Sequence, residues 1–430
     1  LLFTYNKTPL WTGACAVFKK SDALKKAFTF KDRYDEEYTT YIEKGDHIHV
    51  PRLAVPMGED KRSTGLPVTF PKPLVKPRNE MQEHIIAKSL HTFAQDKSHI
   101  IQAGTGTGKS FMSLIIAQKL GLKTLIIVPK QDIMSQWRDS IIKFLGIPVS
   151  DIGKIQQDVC NVEGKTIVIG MVQSLAKDKY KSSVKSEFGL VIYDEIHVMG
   201  ANYFSKACGL FNSKYRLGLS ATPYRSDGRE HVFKDHIGEI AVVNDAVMMI
   251  PRVVVVKSEF LLPRVKKKVI DRLTGRPKMV LAPMQLNAGR TMHVAKMLGT
   301  NRARNELISK FVLAAYEKGR RTIIFSDLRE NHLERLYPAL RSVGIPTKDI
   351  AYYVGGMKEK ELDKSKAAPV ILATYKMVAM ATDIPWLDTC VLATPRSDIV
   401  QCVGRILRTH NPLQDVLAQY RLDKQKLEQG

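Results

Sequence analysis

The stretch Ala103-Gly104-Thr105-Gly106-Thr107-Gly108-Lys109-Ser110 constrains this chain more than any other. It follows His99-Ile100-Ile101-Gln102, a short run that reads as a strand. It precedes Lys109 to Leu120, where Phe111, Met112, Leu114, Ile115 and Leu120 recur at helical spacing and Gly121 supplies a stop. Strand, glycine loop and helix in that order let backbone N–H groups converge on phosphate oxygens, with the helix N-terminus adding partial positive charge. Lys109 is the expected contact for β- and γ-phosphates, and Ser110 the expected magnesium ligand. Gly104, Thr105, Gly106, Thr107 and Gly108 would line the cradle. Ala103, also small, stands where the pattern begins with glycine.

A second apolar run, Leu190-Val191-Ile192-Tyr193, reads as a buried parallel strand and ends in Asp194-Glu195. Carboxylates at the C-terminal end of such a strand lie on the rim where α/β sheets bind ligands. Asp194 is suited to holding magnesium, in part through water, and Glu195 to orienting and deprotonating an attacking water.

The alternation continues on both sides of these motifs. Strands are expected at His99–Gln102, Thr124–Val128, Thr166–Gly170, Leu190–Tyr193 and Arg216–Ser220, and again at Thr322–Ser326, Ile350–Val354, Val370–Thr374 and Cys390–Ala393. The expected fold is α/β, with two tandem RecA-like, doubly wound parallel-sheet lobes at residues 76–250 and 251–430. Residues 1–75 differ. Ser21 to Phe28 reads as a short capped helix and His47–Val50 as a strand, then six prolines between Pro51 and Pro77 punctuate a non-helical connector. A small α+β accessory domain is expected there.

Lys and Arg number 66 against 43 Asp and Glu, a net charge of +23. Solubility does not require so large an imbalance, and a polyanionic partner is implied. The charge concentrates beyond an extended, β-rich stretch at Arg252–Pro263. There Arg264, Lys266, Lys267, Lys268, Arg272, Arg276 and Lys278 face one acid, Asp271. We read this as an arm toward a phosphate backbone. The five cysteines are scattered without Cys-x-x-Cys spacing, so neither zinc nor a disulfide framework is implied, which fits a reducing cytoplasm. No apolar run approaches 18 residues, so no membrane span is expected.

These motifs, with others in the same order, resemble the superfamily 2 helicases that carry an Asp-Glu-x-His box. Gln82 falls where an adenine-reading Gln lies. Val128-Pro129-Lys130 with Gln136-Trp137, and then Gln173-Ser174, look like strand-contacting motifs. His197, with Ser220-Ala221-Thr222, resembles the elements that link hydrolysis to movement. Phe325-Ser326 with His332-Leu333 opens the second lobe's set. Ala373-Thr374 through Asp383 resembles the fifth motif. Gln401-x-x-Gly404-Arg405-x-x-Arg408 matches the sixth. The run Gly218 to Gly228 is most similar to the UvsW and XPB-like branch that remodels DNA.

The resemblance implies catalytic roles for Lys109, Asp194, Glu195, Gln401, Arg405 and Arg408, with the two arginines as finger residues. It implies nucleotide contacts from Gln82 and Asp383, and coupling through His197, Ser220, Ala221 and Thr222. Nucleic-acid contacts would come from Pro129, Lys130, Gln136, Gln173, Ser174, Ser326 and Thr374, joined by Lys266, Lys267 and Lys268. ATP and Mg2+ are the implied cofactors. The implied activity is that of a monomeric, cytoplasmic, ATP-dependent helicase or translocase on branched or forked DNA in replication, recombination or repair. An RNA helicase, the motor subunit of a restriction system, and a basic nucleic-acid-binding protein without turnover are the alternatives.

Overall fold

The computed structural model describes residues 9–404 and 406, apart from 57, 105, 201–203, 226, 245–251, 259–263, 271–275, 284–290, 380–383, 385 and 397–398. The chain divides into two compact units, residues 1–246 and 247–430.

The first unit is built on an eight-stranded sheet. Its order is Val159–Asn161, Ile152–Gln156, Ile167–Met171, Thr124–Val128, Leu190–Asp194, Tyr215–Ser220, His99–Ala103 and Ile240–Asn244. Every neighbouring pair is parallel except the first, which is a hairpin. Alternate residues of one strand feed opposite cores. Ile126 and Val128 pack on one face with Trp137, Ile141 and the helix Lys109–Leu120, while Leu125 and Ile127 pack on the other with Phe188, Phe211 and Phe233. Burial on both faces explains why these strands are continuous apolar runs.

Register places the site. Asp194 pairs with Leu219, and Ser220 pairs with Gln102. Parallel strands bring their C-terminal ends to one edge, so the Asp194-Glu195, Ser220-Ala221-Thr222 and Ala103–Lys109 segments emerge side by side.

In the amino-terminal segment, Leu10–Trp11, Cys15–Lys19, His47–Pro51 and Ile42–Lys44 form an antiparallel sheet over Trp11, Phe18, Leu24, Phe28 and Val50. Helix Asp22–Ala27 is capped by Ser21, whose Oγ accepts from Leu24 N at 3.3 Å. A separate hairpin pairs Thr29–Lys31 with Glu37–Thr39. Arg52 and Arg216 are both buried, and among the described residues their guanidinium groups are hydrogen-bonded by backbone carbonyls across the seam rather than paired with carboxylates. Arg52 Nη1 donates to Ser213 O at 2.8 Å, and Arg216 Nη2 to Ala14 O at 3.2 Å. The proline-rich connector is stitched along the large sheet's flank. Leu66 N donates to Glu187 O, Val68 N to Gly121 O and Leu74 N to Phe144 O. Prolines remove donors, and the residues between them supply the rest.

The second unit holds a parallel sheet in the order Ile350–Tyr353, Val370–Thr374, Thr322–Ser326 and Thr389–Leu392. Helix Arg302–Tyr316, capped by Asn301 Oδ1 at 2.9 Å from Arg304 N, packs against it with Glu334–Ser342. One expectation shifts. Residues 252–258 lie in no strand, and Val253–Val256 are exposed, because β-branched residues make a strand only against a partner edge. The strands begin later, at Arg264–Ile270, paired antiparallel with Pro277–Pro283. Residues 259–263 lie outside the described set.

Candidate nucleotide site and its coupling loops

Gly106 and Gly108 adopt φ of +79° and +93°, the left-handed region that favours glycine. Gly108 is required twice over, since a Cβ there would stand 2.5 Å from Gln82 Nε2. It caps helix Lys109–Leu120, so the first helical N–H groups point into the loop. Lys109 Nζ lies over the loop, donating to Ala103 O at 3.0 Å and Gly104 O at 3.2 Å. Thr107 Oγ1 donates to Gly104 O at 2.8 Å. Ser110 is half-buried in the helix's first turn; Thr105 lies outside the described residues.

Gln82 is fully buried and braces this loop. Its Nε2 donates to Thr107 O at 2.8 Å, and its Oε1 accepts from Arg78 N at 2.9 Å. Arg78 adds a second brace from Nη2 to Gly106 O at 3.1 Å. In this arrangement the Gln82 amide is directed at the loop rather than presented to a base. Asn79 starts the supporting helix Glu80–Ala94, its Oδ1 accepting from Gln82 N at 3.1 Å.

Asp194 ends its strand with both oxygens engaged. Oδ2 accepts from Trp137 Nε1 at 2.7 Å and Oδ1 from Glu195 N at 3.0 Å. Desolvation and the adjoining Glu195 charge push its carboxyl up to about 6, against the pull of Trp137 and Lys109. Trp137 is buried, and although its motif resembles a strand-contacting one its indole is turned to Asp194. An indole N–H rarely goes unpaired when buried. Glu195 sits at φ +50°, a costly conformation for a non-glycine residue. Its Oε2 is buried without a hydrogen bond, 3.4 Å from His197 Nδ1.

His197 ties this turn to the next strand. Its Nδ1 is 3.1 Å from Ser220 Oγ, which also accepts from Thr222 N at 3.1 Å. Ala221 follows, half-buried. Arg225, unassigned from sequence, holds the other side of the turn, with Nη1 donating to His197 O at 2.7 Å.

The candidate nucleic-acid residues divide. Lys130 is half-buried and Gln136 exposed on the same rim, and Gln173 Nε2 donates to Pro129 O at 2.6 Å, joining two expected motifs. Ser174 is buried with Oγ accepting from Gln157 N at 2.7 Å, a loop anchor rather than an open contact. Ser326 is likewise fully buried, 2.9 Å from His332 Nδ1, while His332 Nε2 meets Asn305 Oδ1 at 3.2 Å. That network pins a helix to a strand and holds the Ser326 hydroxyl inside the fold. Thr374 ends its strand half-buried. Lys266 and Lys268 are exposed on the ribbon that also contains Lys267. Gln401 lies in the turn of helix Val400–Val403. Asp383, Arg405 and Arg408 lie outside the described residues.

Residues 75–225 match the family model described as "Type III restriction enzyme, res subunit". "Putative ATP-dependent RNA helicase L396" of Acanthamoeba polyphaga mimivirus is 30% identical over 388 residues, covering 87% of this chain and 70% of that protein. "DNA 3'-5' translocase XPB2" of Sulfurisphaera tokodaii is 30% identical over 225 residues, 52% of this chain and 46% of that protein. Among solved structures, UvsW of bacteriophage T4 is similar at 17% identity with a TM-score of 0.37, covering 90% of this chain and 83% of that one. The Hef helicase domain of Pyrococcus furiosus gives 14% identity and a TM-score of 0.49 over 78% of this chain and 95% of that one. With a viral relative of this identity matched over most of both chains, and the phosphate loop and Asp-Glu-x-His turn side by side on one sheet edge, the chain belongs to the superfamily 2 helicases, ATP-hydrolysing enzymes stimulated by nucleic acid.

Proposed function

We propose that this helicase is a motor on branched or forked DNA, acting as a monomer and hydrolysing ATP with Mg2+. The observation that carries the mechanism is the path of contacts from Glu195, whose Oε2 lies 3.4 Å from His197 Nδ1, through the His197–Ser220 hydrogen bond to Thr222 N. It links the carboxylate suited to activating water with the loop suited to reporting hydrolysis.

In this reading the backbone N–H groups of Gly106, Gly108 and Lys109 bind the phosphates. The Lys109 ammonium exchanges its two carbonyl partners for phosphate oxygens, which are the stronger acceptors. Among the described residues no group of three or more His, Cys, Asp or Glu is placed to hold a metal alone. The Ser110 hydroxyl and Asp194 fit a magnesium shared with phosphate and water, and that ion would neutralise charge on the phosphates. Glu195 orients water and takes its proton. Positive charge is also needed at the γ-phosphate, and Arg405 and Arg408 are the candidates on the strength of their motif. A finger of this kind is worth roughly 10³ to 10⁵ in rate.

The basic ribbon supports a polyanionic track, with Arg264, Lys266 and Lys268 exposed along one strand. The DNA assignment draws on the translocase relative and on the likeness of the Gly218–Gly228 run. ATPase stimulation by forked DNA, four-way junctions, tailed duplexes and matched RNA tests it. Greater stimulation by branched DNA is expected. Stimulation by RNA alone would turn the reading to an RNA helicase, the activity named for the mimivirus relative.

A further inference from the structure

The hairpin Thr29–Lys31 with Glu37–Thr39 has an acidic tip. Asp32, Asp35, Glu36 and Glu37 outnumber Lys31 and Arg33. That sign is wrong for a phosphate backbone in a chain of net charge +23. The acids have a protein partner instead. Arg229 donates from Nε and Nη2 to Asp32 Oδ2 at 3.0 and 2.7 Å, and from Nη2 to Glu36 Oε2 at 3.2 Å. Its guanidinium lies 5.1 Å from the centroid of the buried Tyr38 ring. The Asp32 side chain is 1% exposed, and its Oδ1 accepts from Tyr34 N and Glu36 N at 2.8 and 3.0 Å. Two further contacts fix the same segment. Arg33 N donates to Asp227 O at 2.9 Å, and Phe30 stacks on His231 with centroids 5.7 Å apart.

The other end of that segment reaches the nucleotide site. Asp227 pairs with Arg225, accepting from Nε at 2.8 Å and from Nη2, and also accepts from Arg229 N at 3.2 Å. Arg225 donates to His197 O, and its own N donates to Glu230 Oε1 at 2.7 Å. It passes so close to Gly200 that a Cβ there would stand 2.5 Å from its Cδ. The chain of contacts therefore runs from Asp32 through Arg229, Asp227 and Arg225 to His197, whose ring meets Ser220 and lies beside Glu195.

We propose that Asp32 and Arg229 are positioning residues for ATP hydrolysis, through which the amino-terminal hairpin sets the turn carrying Glu195 and His197. This rests on the reading of Asp194 and Glu195 as the hydrolytic pair. Among the described residues of the first unit the hairpin touches no expected nucleotide contact, so its proposed effect is on geometry at the γ-phosphate and not on affinity for ATP. Misplacement of a catalytic group by about 1 Å from a distant change costs up to about a hundredfold in rate.

The test is steady-state ATPase of the full chain with saturating forked DNA. Asp32→Asn keeps shape and removes the charge. It is expected to lower kcat ten- to a hundredfold (about the range above) with the KM for ATP within about twofold. Arg229→Lys, which keeps the charge, should recover much of the kcat lost in Arg229→Gln. Wild-type kcat in Asp32→Asn overturns the proposal. So does a loss of kcat matched by a rise in KM, or an Arg229→Lys variant no better than Arg229→Gln, since each marks a merely structural contact. Glu195→Gln is assayed alongside. Normal turnover there sinks the hydrolytic reading itself, whereas lost turnover there with normal turnover in Asp32→Asn sinks the coupling alone.

Discussion

Trp137 Nε1 donates to Asp194 Oδ2 at 2.7 Å, joining the helix Gln131–Leu145 to the carboxylate end of the strand Leu190–Asp194. The only polar side-chain atom of a buried indole is spent on orienting the acid proposed to hold magnesium. Trp137→Phe preserves most of the packing and removes the donor. A hydrogen bond to a charged group contributes about 1.5–3 kcal/mol, which corresponds to roughly ten- to a hundredfold in rate. We expect kcat to fall by that range and the Mg2+ concentration for half-maximal activity to rise. An unchanged magnesium dependence would show that Asp194 is oriented by other means.

Lys109→Ala should abolish ATP turnover while leaving most nucleic-acid affinity. The phosphates of ATP meet the loop between Ala103 and Ser110, whereas the exposed cations of the ribbon are on another unit. Turnover and fluorescence-anisotropy binding on one preparation check both halves. Normal ATPase in the variant would refute the loop assignment.

Acid should inactivate this enzyme early. In the proposed role Asp194 holds magnesium only when ionised, and its carboxyl is raised to about 6 by desolvation and Glu195. Activity should drop as pH falls through that region, and excess Mg2+ should move the midpoint lower by favouring the ionised form. Stability runs the opposite way. The folded pKa lies above the ordinary carboxylate value, so the folded state binds the extra proton and this group stabilises the fold as pH falls through the window between them. Asp194→Asn removes this titration, so its melting temperature should change less than the parent's between pH 7.5 and 5, while turnover is abolished. Thermal melting beside ATPase measurement checks the pair, and parallel melting curves for the two proteins across that range would contradict it.

Much of this site was legible because the chemistry demands residue types in a fixed local order. Gly106, Gly108 and Lys109 act through backbone freedom and one charge, and the strand runs before them are apolar because both sheet faces are covered. What escaped the sequence are links between distant segments. Nothing in the spacing of Asp32 and Arg229, 197 residues apart, announces a bidentate pair. Trp137 and Arg78 were hidden differently, since their bonds to Asp194 and to Gly106 are made across the fold and leave no mark in the local sequence. The surroundings of Ser326 were not legible, because a serine at the end of a strand looks the same whether its hydroxyl faces solvent or, as here, a buried histidine. The hairpin Thr29–Lys31 with Glu37–Thr39 was too short for alternation to show.

The ribbon makes its own prediction. Lys266 pairs across from Leu281 and Lys268 from Met279, and all four side chains are exposed. Lysines on phosphates release counterions, so log affinity should fall linearly with log salt. Replacing Lys266 and Lys268 by Gln should weaken binding across all sequences and reduce the slope by about one for each lysine. A titration at several salt concentrations measures it. An unaltered slope would place the track elsewhere.

His332 gives the second unit an acid-sensitive core. It is fully buried between Ser326 and Asn305, and burial with the nearby Arg304 charge depresses its pKa to about 4. The unfolded chain takes up a proton near 6.5 and the folded chain only near 4. Between those values the unfolded state binds more protons, so the stabilising contribution is whole above 6.5 and is lost as pH falls toward 4. The full effect is at most about 3 kcal/mol. Urea unfolding of the full chain, followed by hydrogen exchange in the strand Thr322–Ser326, should show a midpoint that drops between pH 7 and 5. His332→Gln keeps a polar side chain able to bond Ser326 without titrating. It should be less stable than the parent at pH 7.5, because the ring's packing is lost, yet its midpoint should change far less on acidification. Parallel pH curves for the two proteins would mean that other groups govern the acid response of this unit.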